Sequence, residues 1–230
     1  MKLSSISFFC PAYHDEGNLP RLIPKVIDFL QKITDTFEVI IIEDGSPDNT
    51  GRVAEELAQR YPHVRVIHHR NNMGYGATLR DGFRAAHYNY VMYTDGDNQY
   101  DISELRPYLH LLDSFDVLSG YAPNKVISFR RKMQSGVYNW LIAALFFIWI
   151  KDIDCAMKIY KRRVLDSMEI KSTSAFIDAE MLIKTKKSHF TIAQFPVTQY
   201  QRASGPASGS RWSVVWGTIK DMIRFRFGML

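Results

Sequence analysis

Apolar residues in the first half of the chain follow two alternating rhythms. Ile6 to Cys10, Phe37 to Ile42, Val64 to His68 and Tyr90 to Thr94 are short runs rich in β-branched and aromatic residues, which predicts four strands. Phe37 to Ile42 is nearly unbroken, as expected of a strand buried on both faces. Between the runs the period lengthens. Leu19, Leu22, Ile23, Val26, Ile27 and Leu30 fall on one face of a helix from Asn18 to Lys32. Asp48 or Asn49 is placed to cap a second helix through Arg60, and Ala77 to His87 reads as a third. Strand–helix–strand repetition predicts an α/β fold, a doubly wound and mostly parallel sheet with helices on both faces. In such sheets ligands collect outside the carboxyl ends of the strands.

Beyond Asp101 the rhythm loosens. A helix is expected over Ile102 to Leu112 and a short strand over Asp116 to Ser119. A basic stretch from Lys125 to Lys132 leads into Val137 to Ile150, whose part from Trp140 to Ile150 carries no charge. Roughly twenty apolar residues are needed to span a bilayer, so this run is too short. It is either a core helix or one lying in a membrane interface, with Trp140 and Trp149 as anchors. Short strands at Ile159 to Tyr160 and Ile192 to Phe195 flank a helix at Ala179 to Thr185. A Gly/Ser/Pro loop, Ser204 to Ser210, precedes an amphipathic helix from Trp212 to Phe227 with Lys220, Arg224 and Arg226 on its polar side. No internal repeat or long linker interrupts this, so the expected organisation is one domain over 1–211 and a basic amphipathic helix over 212–230.

Composition narrows the function classes. A chain of 230 residues with 46% hydrophobic and 13% aromatic residues builds a packed core and is not disordered. Its net charge of +5 suits anionic partners, phosphate-bearing substrates or an acidic membrane surface, and is too small to argue for nucleic acid. Cys10 and Cys155, far apart in apolar company, are expected as free buried thiols in a reduced cytoplasm. Pro11 and the acidic residues after it cut the first apolar run short, so the N-terminus reads as a strand and not as a signal peptide.

Four candidate motifs sit at the four strand ends. Asp95-Gly-Asp97 follows the run ending in Tyr93. Two carboxylates one residue apart beside a buried strand repel each other and resist desolvation unless a cation joins them, and hard oxygen ligands suit Mg2+ or Mn2+ on a diphosphate. Gln99 could add a neutral oxygen or be a plain loop residue. Glu43 and Asp44, ahead of Gly45, could accept hydrogen bonds from a ribose and a nucleobase, or form a plain turn with a helix cap. Arg70 through Gly74, Gly76 and Ala77 form a glycine turn before a helix, a natural phosphate contact. It lacks the third glycine of a dinucleotide fingerprint, so hydride transfer is unsupported. Asp152 and Asp154 follow the apolar run. Either could be a base with a raised pKa, a helix cap or a lysine's partner. His68 and His69 read as a strand end, not as metal ligands.

Taken in order, these residues resemble the GT-A glycosyltransferases of family 2, and within them the dolichol-phosphate mannose synthase and polyprenyl-phosphate glycosyltransferase branch. Pro11-Ala-Tyr13-His-Asp15 is similar to the family's P-x-Y-N-E, with His14 for Asn and Asp15 for Glu. Glu43-Asp44-Gly-Ser-Pro-Asp-Asn-Thr is similar to D-D-G-S-x-D-x-T, with Glu43 for the first Asp. Arg70-Asn-Asn-Met-Gly74-Tyr-Gly76-Ala77 is similar to R-x-x-x-G-x-G-x-A, one residue tighter, and Asp95-Gly-Asp97-Asn-Gln99 to D-A-D-x-Q. Asp154-Cys-Ala-Met-Lys158 matches D-x-x-x-G-F-[RK] in part, and Arg202-x-x-Gly205-x-x-Ser208 resembles a basic loop that closes over phosphates.

The resemblance implies a GT-A fold, a Rossmann-like sheet, and a metal-dependent inverting transfer from a nucleoside-diphosphate sugar to a polyprenyl phosphate. Pro11, Tyr13, Asp15, Glu43, Asp44, Arg70, Gly74 and Gly76 would surround the donor, with Asp95 and Asp97. Asp95, Asp97 and Gln99 would hold Mg2+ or Mn2+. Arg130, Arg131 and Ser135 would take the acceptor phosphate, while Arg202, Arg131 and Asp154 would act in the chemistry. The implied location is cytoplasmic, peripheral on the inner leaflet. A glycan or other hydroxyl acceptor and a non-catalytic nucleotide-sugar-binding role are the rival readings.

Overall fold

The computed structural model describes residues 2–125, 129–202 and 212–230. Seven strands form one sheet: β1 (Ile6–Ala12), β2 (Phe37–Glu43), β3 (Val64–His68), β4 (Tyr90–Tyr93), β5 (Val117–Tyr121), β6 (Lys158–Lys161) and β7 (Ile192–Pro196). Their order is β3-β2-β1-β4-β6-β5-β7. The helices are α1 (Leu19–Ile33), α2 (Thr50–Arg60), α3 (Tyr75–Ala85), α4 (Phe129–Phe146), α5 (Arg162–Asp166), α6 (Ile177–Lys187) and α7 (Trp212–Arg226), with a 3₁₀ helix over Ile102–Asp113.

The mostly parallel sheet expected from the alternating rhythm is present. β1 pairs in parallel with β2 on one side and β4 on the other, and β2 with β3. The chain steps outward through β1, α1, β2, α2 and β3, then returns through α3 to β4 on the far side of β1. Right-handed crossovers therefore put α3 on the opposite face from α1 and α2. The Phe9 ring, edge-on to Phe83 of α3 at 4.9 Å, shows how tightly that layer closes. The order reverses at β1, which is where a ligand crevice forms.

One strand departs from the parallel pattern. β6 runs antiparallel to both β4 and β5, while β5 and β7 are parallel to each other. The residues after β1, β2, β3, β4, β5 and β7 therefore share one edge of the sheet with the residues that precede β6. That brings Asp154, just ahead of β6, to the edge where Asp95 follows β4. Alternating apolar character carries no information on strand direction, and the period alone did not show this.

The expected helix over Ile102 to Leu112 is a 3₁₀ helix, with Asp101 accepting from the Ser103 N–H at its start and Pro107, which has no N–H to donate, inside it. Part of the uncharged run Trp140 to Ile150 joins a core and part faces outward. α4 stops at Phe146, and Phe147 takes φ 57°. Ile142, Phe146, Ile148 and Ile150 are buried in a second, smaller core with Phe176 and Met222, joined by Phe225. Trp140, Phe147 and Trp149 face outward with 64%, 84% and 81% of their surface exposed. Cys10 and Cys155 are free and buried.

Candidate active site

The acid turn after β4 sits hard against β1, with the Gly96 N–H donating to the Pro11 carbonyl at 3.1 Å. Asp97 accepts from the Gln99 N–H at 3.1 Å and from Arg202 Nη1 at 3.3 Å. The same guanidinium donates to Asp15 at 2.8 Å, so Arg202 bridges two acids from the segments that follow β1 and β4. Asp15 is further held by Asn18 at 2.8 Å and by the Tyr13 N–H at 3.1 Å. Between Tyr13 and Asp15, His14 takes φ 57°, a left-handed turn that Asn, Asp and His tolerate better than most residues. The Gln99 amide donates to the Tyr200 carbonyl at 2.9 Å.

Asp95 Oδ1 is buried with no hydrogen-bond partner. Burial, then the charge of Asp97, holds the Asp95 carboxyl well above the ordinary carboxylate range, and Lys158 only partly opposes this. Asp97 is also raised by burial, while Arg202 and the Gln99 N–H pull it down. An orphaned carboxylate oxygen beside a second acid fits a hard divalent cation. Among the described residues no three His, Cys, Asp or Glu side chains form a ready cage, so such an ion would complete its shell with water and ligand phosphates.

Glu43 and Asp44, at the end of β2, are buried, and both carboxylates are engaged by the protein. Asp44 accepts from the Met73 N–H at 2.8 Å, the Gly74 N–H at 2.9 Å and His69 Nδ1 at 2.7 Å. Since a carboxylate only accepts, His69 carries its proton on Nδ1. Glu43 accepts from the Ser46 N–H at 2.5 Å and meets His68 Nδ1 at 3.1 Å. Asp44 thus shapes the 70–74 loop from beneath, and Glu43 holds the turn at Ser46. Gly45, at φ 62°, allows this, because a Cβ there would lie 2.5 Å from the Asn71 carbonyl carbon. Gly76 serves packing, since its Cβ would meet the Ser174 carbonyl at 2.3 Å, while Arg70 is exposed on the loop. The sequence alone did not single out His69, and its place directly after a strand end beside Asp44 was the available signal.

Across the crevice Asp152 is the partner of a lysine. Lys125 Nζ lies 2.6 Å from Asp152 Oδ1 and 3.4 Å from Ser135 Oγ. Arg131 is exposed on α4, and its charge reaches Asp97. The side chain of Arg130, and residues Gly205 and Ser208, lie outside the described residues. Asp154 is solvent-accessible but walled by protein. That crowding, then the Asp178 charge, lifts its carboxyl to about 6, against Lys125 and Lys158. The folded chain therefore holds a proton here, between about pH 4 and 6, that the unfolded chain has released. This contribution to stability declines as pH rises through that window. Asp154→Asn is expected to flatten that part of the profile, as read by urea unfolding at pH 4.5 and pH 7, and an unchanged difference between the two would refute the assignment.

The same sheet edge thus carries one cluster of Asp15, Asp97 and Arg202 beside Pro11, Tyr13 and Asp95, and another of Lys125, Ser135 and Asp152 beside Asp154. Comparison with known proteins bears on what it does. The sequence model of Glycosyl transferase family 2 matches residues 7–168. The chain is 28% identical to glycosyltransferase AglD of Haloferax volcanii over 97% of its length, and spans 35% of that protein. It is 26% identical to polyprenol monophosphomannose synthase of Mycolicibacterium smegmatis, covering 85% of this chain and 77% of the relative. Undecaprenyl-phosphate 4-deoxy-4-formamido-L-arabinose transferase of Proteus mirabilis matches at 28%, over 73% of this chain and 52% of its own. Glucosyl-3-phosphoglycerate synthase from Mycobacterium tuberculosis, solved with Mn2+, UDP and phosphoglyceric acid, superposes with a TM-score of 0.75 at 19% identity, covering 99% of this chain and 80% of that one.

Proposed function

Because the chain belongs to glycosyl transferase family 2 and has the GT-A fold, we propose that it moves a sugar from a nucleoside diphosphate to a polyprenyl phosphate, inverting the anomeric carbon. The observation that carries this reading is the meeting, at one sheet edge, of Asp15, Asp95 and Asp97 with Arg202 from the far end of the chain. Relatives named for polyprenol and undecaprenyl-phosphate products support the acceptor class.

Asp95 and Asp97, with Gln99 beside them, would hold Mg2+ or Mn2+, which when bound neutralises diphosphate charge as the leaving group departs. Asp44, locked to the Met73 and Gly74 N–H groups, fixes the loop over which the nucleotide lies. Pro11, Tyr13 and Asp15 form the opposite wall, with Glu43 bracing the turn below. Arg202 places a fixed positive charge where the departing diphosphate accumulates negative charge. Lys125, Arg131 and Ser135 would receive the acceptor phosphate. A phosphate oxygen is already ionised near neutral pH, so it needs no general base. The accessible Asp154, poised near 6, favours the second reading, a hydroxyl acceptor that Asp154 deprotonates.

The test presents UDP- and GDP-sugars with Mn2+ and a short-chain polyprenyl phosphate, and follows lipid-linked product. A labelled lipid is expected. Transfer only to a sugar or glycan hydroxyl would overturn the acceptor, and no transfer from any donor would overturn the activity.

No helix among the described residues is long and apolar enough to cross a membrane. We assign the outward-facing Trp140, Phe147 and Trp149 to a peripheral membrane contact on the cytoplasmic leaflet, helped by Lys151 and by the basic residues of α7. Phe147→Ser with Trp149→Ser is expected to reduce sedimentation with anionic vesicles about tenfold or more. Equal binding by both forms would return this face to ordinary surface.

A further inference from the structure

Behind the crevice lies an ion pair that the proposed reaction does not use. Lys158, at the start of β6, is 0% exposed, and Asp178, in the first turn of α6, is 3% exposed. Burying two charges is costly, and a well-packed apolar pair often serves stability as well or better. The pair is tolerated because its polar groups are satisfied. Lys158 Nζ donates to Asp178 Oδ1 at 2.6 Å, to the Cys155 carbonyl at 2.6 Å and to the Tyr93 hydroxyl at 3.0 Å. The Tyr93 hydroxyl in turn donates to Asp178. Burial, then the charge of Asp178, pushes the Tyr75 hydroxyl's pKa up, which places Tyr75 beside the pair.

The positions of these partners matter more than their number. Tyr75 directly follows Gly74 of the donor loop, Tyr93 stands two residues before Asp95, and Cys155 directly follows Asp154. Tyr93 and Lys158 are register partners across β4 and β6, which sets the acid turn beside the Asp154 turn. We propose that the Lys158–Asp178 pair is a positioning node, holding the donor loop, the acid turn and the Asp154 turn at fixed relative places. This rests on the proposed glycosyl transfer for what the three segments do, but not for the contacts that join them.

The test compares the full chain with Lys158→Met/Asp178→Leu, Tyr75→Phe and Tyr93→Phe. The double variant is expected to fold with native circular dichroism while kcat drops tenfold or more. Each tyrosine variant loses one hydroxyl beside Asp178 and should report on its own segment. Tyr75→Phe should raise the donor KM about threefold to tenfold, and Tyr93→Phe should weaken binding of Mn2+ alone, read by electron paramagnetic resonance, by a similar factor. Native kcat in a folded double variant overturns the node. If the double variant does not fold, tyrosine variants with wild-type donor KM and Mn2+ affinity overturn it instead. A wild type that transfers no sugar defeats the functional reading, and the Mn2+ affinity of Tyr93→Phe then decides the node alone.

Discussion

Asp97→Asn is expected to lower sugar transfer by about 10³-fold or more, the loss that follows when several kcal/mol of charge stabilisation leave the transition state. The substitution keeps the shape of the turn, because an amide oxygen can still accept from the Gln99 N–H. What it removes is one of the two carboxylates that would hold the proposed cation. The same change relieves the desolvation and repulsion that raise both acids, so thermal stability should stay level or rise while activity collapses. Opposite movement of stability and turnover separates a binding role from a structural one. The measurements are single-turnover kinetics with Mn2+ and calorimetric binding of UDP and GDP with and without the ion. Full turnover by the variant would show that the paired acids hold no ion the reaction needs.

Lys158→Met alone should be the most destabilising single change at the node. It leaves the Asp178 charge buried without its cation, a loss of about 3–5 kcal/mol. At this chain length that corresponds to a fall in Tm of roughly 10 °C. The stranded carboxyl would take up a proton in the folded state at a higher pH than in the unfolded chain. The deficit should therefore shrink as the solution is acidified, because protonation removes the buried charge. Adding Asp178→Leu should recover most of the loss, since no charge then remains to be buried. Thermal unfolding of the single and double variants at pH 5 and pH 8 checks this. A Tm equal to wild type in Lys158→Met would show that the pair is not ionised.

Much of the crevice could be read along the chain because each motif lies directly after a run that is locally recognisable as a strand. Asp95, Asp97, Asp15 and Asp44 needed only that placement and the parallel rule to be expected on one edge. The partners of these groups were less accessible. Asp44 is expected beside a ribose, and only the fold shows that its two oxygens also accept from backbone N–H groups and from His69. Asp152 was one of two neighbouring acids, and only the position of Lys125 separates it from Asp154. The apolar run ending at Ile150 has one hydropathy throughout, but a left-handed residue at Phe147 turns alternate side chains to the inner core and to solvent.

By itself, then, the amino-acid order determined the alternation of strands and helices, the positions of four motifs at strand ends and the acidic pair suited to a hard cation. These depend on spacing and residue type within a few neighbours. Only the tertiary structure decided the reversed direction of β6, the meeting of Arg202 with Asp15 and Asp97, and the buried pairing of Lys158 with Asp178. Those features depend on pairing between residues far apart in the chain. Such pairing is chosen by the total burial and hydrogen bonding of the whole sheet, to which no local pattern gives access.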